Sequence, residues 1–172
     1  MSVSPDNAAR DYAETTQLLR TLIDVRFKLV AFVPTISGLA VGLLGSGRSA
    51  AELLAVGGLG LTATLGILVY ELRNTQLHDY ALARAKTLEG RLGIGLYSEE
   101  PTGDVRFFGV AVAAHDRGLA LVYGAAVGGW AYLVAWGALR AADVGHAQVI
   151  GGMVGAAAGA AVVVEFLRVG SR

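Results

Sequence analysis

The chain has 172 residues, of which 54% are hydrophobic and 16% are charged, and its formal net charge is zero. This length corresponds to about one domain, and soluble domains carry about 25% charged residues. Zero net charge argues against nucleic-acid binding, which needs a basic face, and the absence of cysteine excludes disulfides, zinc thiolates and iron–sulfur clusters.

Four stretches without a charged residue dominate the sequence. A bilayer core of about 30 Å needs about 20 apolar residues in a helix, and each stretch approaches that length. The sequence therefore predicts an all-α fold, an integral membrane four-helix bundle of two transmembrane hairpins with cytoplasmic helical extensions. The predicted spans are residues 29–47, 53–70, 118–139 and 147–164.

The rest of the single membrane domain, residues 1–172, is predicted to be helix and loop outside the bilayer. Ser4 and Pro5 are typical of a helix start, with serine at the N-cap and proline in the first turn. Residues 1–28 are expected to form a cytoplasmic helix that continues into the first span. Residues 71–117 are expected to form a cytoplasmic helix and loop.

The basic residues predict the orientation. If both termini and the central segment are cytoplasmic, twelve lysines and arginines lie inside, and only Arg48 and Arg140 lie outside. This arrangement satisfies the positive-inside rule. The first 25 residues are polar, so no cleavable signal peptide is expected. The preference for arginine over lysine, with many alanines and glycines, suggests a GC-rich bacterial genome, so the expected location is the bacterial inner membrane.

Two apolar stripes outside the spans are predicted to pack against each other. The second span continues as helix to about Arg91, and one face of that extension is apolar at spacings of three and four residues. The N-terminal helix has a similar stripe and leaves the membrane on the same side. The stripes are Leu77, Ala81, Ala85 and Leu88 on one helix, and Leu18, Leu22 and Val25 on the other.

The segment before the third span allows two interpretations. Residues 105–114 are apolar but too short to cross a bilayer. They could lie at the lipid headgroups, or they could begin a longer third helix. Asp116 is a candidate N-cap for that helix.

Small residues recur every four positions in three predicted spans. Such faces allow helix backbones to approach closely in a membrane. The contact could lie within one subunit, or it could join subunits around a symmetry axis. The residues are Gly38 and Gly42, Gly124 and Gly128, and the series Gly151, Gly155 and Gly159.

The sequence holds no recognisable catalytic or cofactor motif. It has no Walker A sequence and no nucleophile elbow, and no predicted span contains a charge of the kind that ion-coupled transporters use. His78 and His115 are expected on the cytoplasmic side, whereas His146 is expected outside, so one site cannot gather all three. We expect neither an enzyme nor a cofactor or metal site.

A set of polar residues outside the membrane is the remaining candidate site. It joins the helix after the second span to the segment before the third. These side chains could bind a lipid headgroup, a ligand or a protein partner, or they could form an ordinary solvated face with local salt bridges. They are Arg73, Asn74, His78, Asp79, Arg84, His115, Asp116 and Arg117.

Two runs carry a resemblance to known proteins. The first hairpin is opened by LIDVRFKLVAFVPTISG at residues 22–38 and closed by YELRNTQLHDY at residues 70–80. Over residues 15–92 the chain resembles uncharacterised small bacterial multi-span membrane proteins. Its layout is similar to the SLATT-type membrane effectors, which are proposed to form pores in bacterial conflict systems. The resemblance implies pore formation but assigns no residue, and the two-span effectors lack a second hairpin.

These observations lead to three functional hypotheses. The first is a homo-oligomeric channel or regulated pore in membrane lipid, with a cytoplasmic helical cap. The second is a non-conducting scaffold or accessory subunit that docks a soluble cytoplasmic protein. The third is a small-molecule exporter, ranked last because no mid-membrane acid is available for proton coupling. In the first, the pore-lining candidates are Thr35, Ser37, Thr62 and Thr64.

Overall fold

Four helices account for nearly all of the structure. The computed structural model describes residues 5–43, 48–99, 106–107, 110–111 and 115–170. Within these ranges, α2, α3 and α4 are long and apolar enough to cross a membrane. The predicted first span extends beyond the described end of α1 and stays a prediction. The helices are α1 Pro5–Leu43, α2 Ala50–Leu92, α3 His115–Ala141 and α4 Ala147–Gly170.

The segment before α3 contains a short strand pair, so it does not begin a longer third helix, while its location at the headgroups stays a prediction. Strand β1 (Arg106–Phe107) pairs antiparallel with strand β2 (Val110–Ala111), with Phe107 opposite Val110. Valine and phenylalanine favour extended backbone, and the segment is too short to develop a stable helix. Helix α3 then begins at His115, so Asp116 lies inside the helix and does not occupy the N-cap.

Local signals in the sequence set both ends of α2. At its start, the Ser49 amide donates to Glu52 Oε2 (2.9 Å), and the Glu52 amide donates to Ser49 Oγ (3.2 Å). This reciprocal pair is a capping box, which satisfies two amides that have no partner inside the helix. After Leu92, Gly93 adopts a φ of 69°, which glycine tolerates without strain.

The chain divides into two compact units, and both α1 and α2 contribute to each. The helix-pair unit comprises Met1–Leu29 and Val69–Asp104. The apolar unit comprises Val30–Leu68 and Val105–Arg172. The division follows the sequence pattern, because most of the charged residues lie in the helix-pair unit.

The core of the helix-pair unit corrects the predicted stripes. Leu19, Ala81 and Ala85 are buried together, whereas Leu18 and Leu77 are 48% and 40% exposed. The other predicted members Leu22 and Leu88 are buried, so the stripes are right in part and only their Leu18 and Leu77 ends lie off the buried face. An apolar count also misses the buried polar residues that continue this face, which are Thr15, Arg26, Glu71, Asn74 and Glu89.

The core of the apolar unit forms where α3 packs against its two neighbours. Leu53 of α2 is buried with Trp130 and Leu133 of α3. On the side of α4, the rings of Tyr123 and Phe166 stack with their centroids 6.1 Å apart. Helix α3 is therefore the central helix of this unit.

Candidate functional site

Glycines bring the backbones of α3 and α4 into direct contact within one chain. A Cβ placed on Gly128 would lie 2.8 Å from the Gly155 carbonyl oxygen, and one on Gly159 would lie 2.7 Å from the Gly124 carbonyl oxygen. Real Cβ atoms do not approach oxygen so closely, so no side chain fits here. Four of the five predicted packing glycines of α3 and α4, which are Gly124, Gly128, Gly155 and Gly159, thus face one another at backbone distance.

The other predicted packing glycines lie in different surroundings. Gly151 faces the backbone of Trp136, and a Cβ on it would lie 3.1 Å from the Trp136 nitrogen. Gly38 and Gly42 belong to α1, in a stretch where the structure describes the backbone only.

A second glycine contact, between α2 and α3, was missed by sequence reasoning. Gly60 lies directly against the Trp130 indole, with no space for a Cβ between them. A Cβ on Gly57 would lie 2.9 Å from the Val134 nitrogen, and one on Gly137 would lie 3.0 Å from the Leu53 Cβ. A tryptophan side chain packs closely only against a flat helix surface, which glycines provide. The presence of Trp130 in one helix and several glycines in the other is therefore the sequence signal that could have predicted this contact.

A further set of small residues lies beside the α3–α4 contact and faces an open groove. The groove has a volume of about 490 Å³ and includes Ala125 and Gly129 of α3 with Gly152 and Ala156 of α4 in its lining. A Cβ placed on Gly129 or Gly152 would meet nothing within 4 Å among the described residues. We call these four residues the open small face. On each of the two helices, one face of small residues packs against the other helix, and a second face of small residues lines the groove.

A smaller cavity adjoins this groove and contains the predicted pore residue Ser37. It measures about 240 Å³ and is otherwise lined by Ala126, Trp130, Leu133 and three residues shared with the groove. Trp130 is 4% exposed, and its indole Nε1 finds no acceptor within the described part of the chain. The cavity is therefore lined mainly by apolar side chains.

The predicted pore hydroxyls differ in how far they are exposed. Thr35 and Thr62 are exposed, Ser37 is half-buried and Thr64 is buried. The hydroxyls of Thr35, Ser37 and Thr62 each donate to a carbonyl four residues earlier in the same helix. Such bonds satisfy the hydroxyl protons inside an apolar setting and leave the oxygen available to a second donor.

The helix-pair unit contains a buried ionic cluster at the end nearest the predicted spans. Arg26 Nε donates to Glu71 Oε1 (2.5 Å), and Arg26 Nη2 donates to Thr75 Oγ1 (2.5 Å). Asn74 Nδ2 donates to the Leu22 carbonyl oxygen (3.2 Å). Sequence analysis proposed Asn74 as a ligand contact, whereas the structure places it in the contact between α1 and α2. Glu71 and Asn74 lie at helical spacing from Ala81 and Ala85. This spacing is the sequence signal that could have predicted their burial on the same face.

A second buried carboxylate closes the opposite end of this unit. Glu89 accepts hydrogen bonds from the Tyr12 hydroxyl (2.9 Å), the Tyr97 amide (2.8 Å), and the amide and hydroxyl of Ser98 (2.9 and 2.7 Å). Burial raises the pKa of Glu89, but the hydrogen bonds outweigh it and the net pKa lies below its ordinary value. Burial and the neighbouring Glu89 raise the pKa of Tyr12, which keeps its phenol protonated as a donor.

The remaining predicted polar residues are spread over the surface of this unit. Arg84 makes two hydrogen bonds to the Asp11 carboxylate (3.1 and 2.5 Å), which raise the pKa of Arg84. Arg73 donates to Gln76 (3.3 Å), and His78 Nδ1 lies 3.7 Å from Asp79. The side chains of residues 115–117 lie outside the description. Arg84 therefore joins α1 to α2, and the other described members make local contacts.

No group of three histidine or acidic side chains in the described ranges is placed to hold a metal ion. His78 has a single acidic neighbour, Asp79, at the distance given above. Comparison of the chain with protein-family models, with curated proteins and with solved structures gives no match.

Proposed function

We propose that this chain is a homo-oligomeric, multi-pass protein of the bacterial inner membrane that forms a channel or regulated pore with a cytoplasmic helical cap. The open small face is the observation that carries the proposal. Its members, Ala125, Gly129, Gly152 and Ala156, line a groove that no described residue of the same chain fills.

The argument starts from what small residues do in a membrane. Between helices, glycine and alanine permit close approach and gain dispersion contacts, whereas against lipid they offer little surface. The used face, with Gly128 and Gly155, already shows backbone approach within the chain. A helix from a second copy in the open groove would repeat that packing. Repetition around a closed ring is the common form of oligomer and would leave a central pathway.

The proposed membrane arrangement has four spans in two hairpins, with both termini and the central segment in the cytoplasm. Three helices of suitable length and apolarity support it, and so does the distribution of basic residues. Topology reporters fused after Gly47, Gly103, Ala142 and Arg172 should read outside, inside, outside and inside. An outside signal at Gly103 would contradict the arrangement.

The oligomer and the pore are tested together by one matched pair of variants. Gly152→Ile fills the groove, whereas Gly66→Ile adds the same side chain at an exposed, open position of α2. We expect the purified wild type to conduct ions in liposomes as an oligomer, and Gly152→Ile alone to lose both assembly and current. Absence of current from the wild type at every voltage would reject the pore. Equal assembly of the two variants would reject the open small face as the subunit contact.

A non-conducting scaffold is the second candidate, and exposed apolar side chains of the helix-pair unit favour it. Leu18, Leu77 and Tyr80 are 48%, 40% and 67% exposed, although the unit lies outside the predicted spans. Crosslinking and pull-down from native membranes would distinguish the two functions. A stoichiometric soluble partner together with absent conductance supports the scaffold, and a pure conducting homo-oligomer rejects it.

A further inference from the structure

Two fully buried glutamates on one face of α2 differ in how completely they are hydrogen-bonded. Glu71 and Glu89 are each 0% exposed, and they lie eighteen positions apart in the sequence, which is about five helical turns. Both carboxylate oxygens of Glu89 accept hydrogen bonds. The Glu71 carboxylate accepts from Arg26 at Oε1, and no donor in the described ranges reaches Oε2.

Asn74 shows the same shortage of donors one turn further along. Its Nδ2 donates to the Leu22 carbonyl, while its Oδ1 has no donor among the described residues. The hydroxyl proton of the nearby Thr75 is not available to either oxygen, because it is donated to the Glu71 backbone carbonyl. Two buried acceptor oxygens therefore receive no hydrogen bond from the described residues, which disfavours the closed contact relative to a hydrated one.

Among the described residues, the opposite end of the helix pair has no such unpaired buried oxygen. Besides the Glu89 hydrogen bonds, it contains the Arg84–Asp11 ion pair and the packing of Leu19 against Ala81 and Ala85. These contacts combine apolar burial with fully paired polar groups, so this end has the greater stability.

We infer that α1 and α2 separate at the Glu71 end of the helix-pair unit and remain in contact at the Glu89 end. In the separated state, water donates hydrogen bonds to Glu71 Oε2 and Asn74 Oδ1. Arg26 lies three residues before the predicted first span, and Glu71 directly follows the second. The opening thus lies at the predicted cytoplasmic surface of the membrane. It is a property of the helix pair and does not depend on ion conduction.

Distances between spin labels in the full-length protein directly test whether the two helices separate at the Glu71 end. The sequence contains no cysteine, so introduced pairs are labelled alone. Ile23→Cys with Gln76→Cys reports the Glu71 end, and Ala13→Cys with Ala83→Cys reports the Glu89 end. All four positions are exposed. In nanodiscs, diluted with unlabelled protein, we expect two distances or a distribution at least about twice as broad at the Glu71 end. Equally narrow distributions at both ends would overturn the inference and indicate ordered water on the two oxygens.

Substitutions at each end provide matched controls. Arg26→Met combined with Glu71→Leu replaces the ion pair with apolar groups of similar size, which proteins often tolerate or gain from. We expect this variant to narrow the distribution at the Glu71 end to its shorter distance. Tyr12→Phe removes one donor from Glu89 and should broaden only the Glu89 end. If the double variant folds and its distance distribution at the Glu71 end is unchanged, the inference is overturned. If the double variant does not fold, the comparison of the two label pairs in the otherwise unchanged protein decides.

Discussion

Gly128 and Gly155 contact each other reciprocally across the α3–α4 interface. A Cβ on Gly155 would lie 2.6 Å from the Gly128 carbonyl oxygen, and a Cβ on Gly128 would lie 2.8 Å from the Gly155 carbonyl oxygen. Each residue is glycine because the backbone of the other occupies the space of its side chain.

Gly155→Ala should therefore destabilise the protein, although alanine is the better helix former by about 1 kcal/mol. Forcing atoms into a filled contact costs about 1–3 kcal/mol. Gly66→Ala is the matched control, since Gly66 is exposed and a Cβ there meets nothing within 4 Å among the described residues. Thermal unfolding in detergent should show a lower midpoint for Gly155→Ala alone. Equal midpoints would mean that the two helices are further apart than described.

Gly60→Ala should destabilise the contact between α2 and α3. The added methyl group would overlap the Trp130 indole, and a buried tryptophan has little room to move. We expect a loss of about 1–3 kcal/mol, with reduced tryptophan fluorescence anisotropy if the ring is displaced. Gly58→Ala, two residues away with open space around it, should be neutral or stabilising. A neutral result for Gly60→Ala would contradict the described position of the indole.

Leu88→Asp and Leu77→Asp should differ strongly, although the sequence places both in one stripe. Leu88 is 4% exposed and Leu77 is 40% exposed. An unpaired buried charge at position 88 should cost about 3–5 kcal/mol, whereas the exposed change should stay within about 0.5 kcal/mol. Chemical unfolding followed by circular dichroism measures both. Comparable losses would show that Leu77 is covered in the assembled protein.

The Glu89 carboxylate should make stability depend on acid pH. Its pKa in the folded chain lies below the ordinary value of 4.5, so the folded state favours the charged form. That contribution is complete above pH 4.5 and is lost as the pH falls through the folded pKa. Glu89→Gln should be less stable than the wild type at pH 7, and the difference should shrink below pH 4.5. A difference that stays constant with pH would mean that Glu89 is not bound as a carboxylate.

Helix positions were largely predictable, because they depend on local signals. Charge-free stretches, the Ser49 and Glu52 cap and the terminating Gly93 all act over a few residues, and the structure shows α2 as one helix from Ala50 to Leu92. The segment at 106–111 was not predictable as a hairpin, since its apolar residues suit several conformations.

The buried polar contacts could not be predicted from apolar periodicity. Arg26 and Glu71 are separated by 45 residues, and a search for hydrophobic stripes passes over both. The predicted stripes were right at Leu22, Ala81, Ala85 and Leu88, which are buried, and wrong at Leu18 and Leu77, which are exposed. The glycine spacing in α3 and α4 was visible in the sequence, but which glycines face the same chain and which face open space depends on three-dimensional packing.

The glycine contact of α3 and α4 also limits how this chain can vary. Glycine is the smallest residue, so every substitution at Gly124, Gly128, Gly155 or Gly159 adds atoms where backbone already lies. At most core positions, a larger side chain can be accommodated when a neighbouring side chain is replaced by a smaller one. Here the neighbour is main chain, which cannot shrink, joined at Gly124 by the Val163 side chain. Compensation would require the two helices to separate as rigid bodies, so these four positions have to change together or stay as they are.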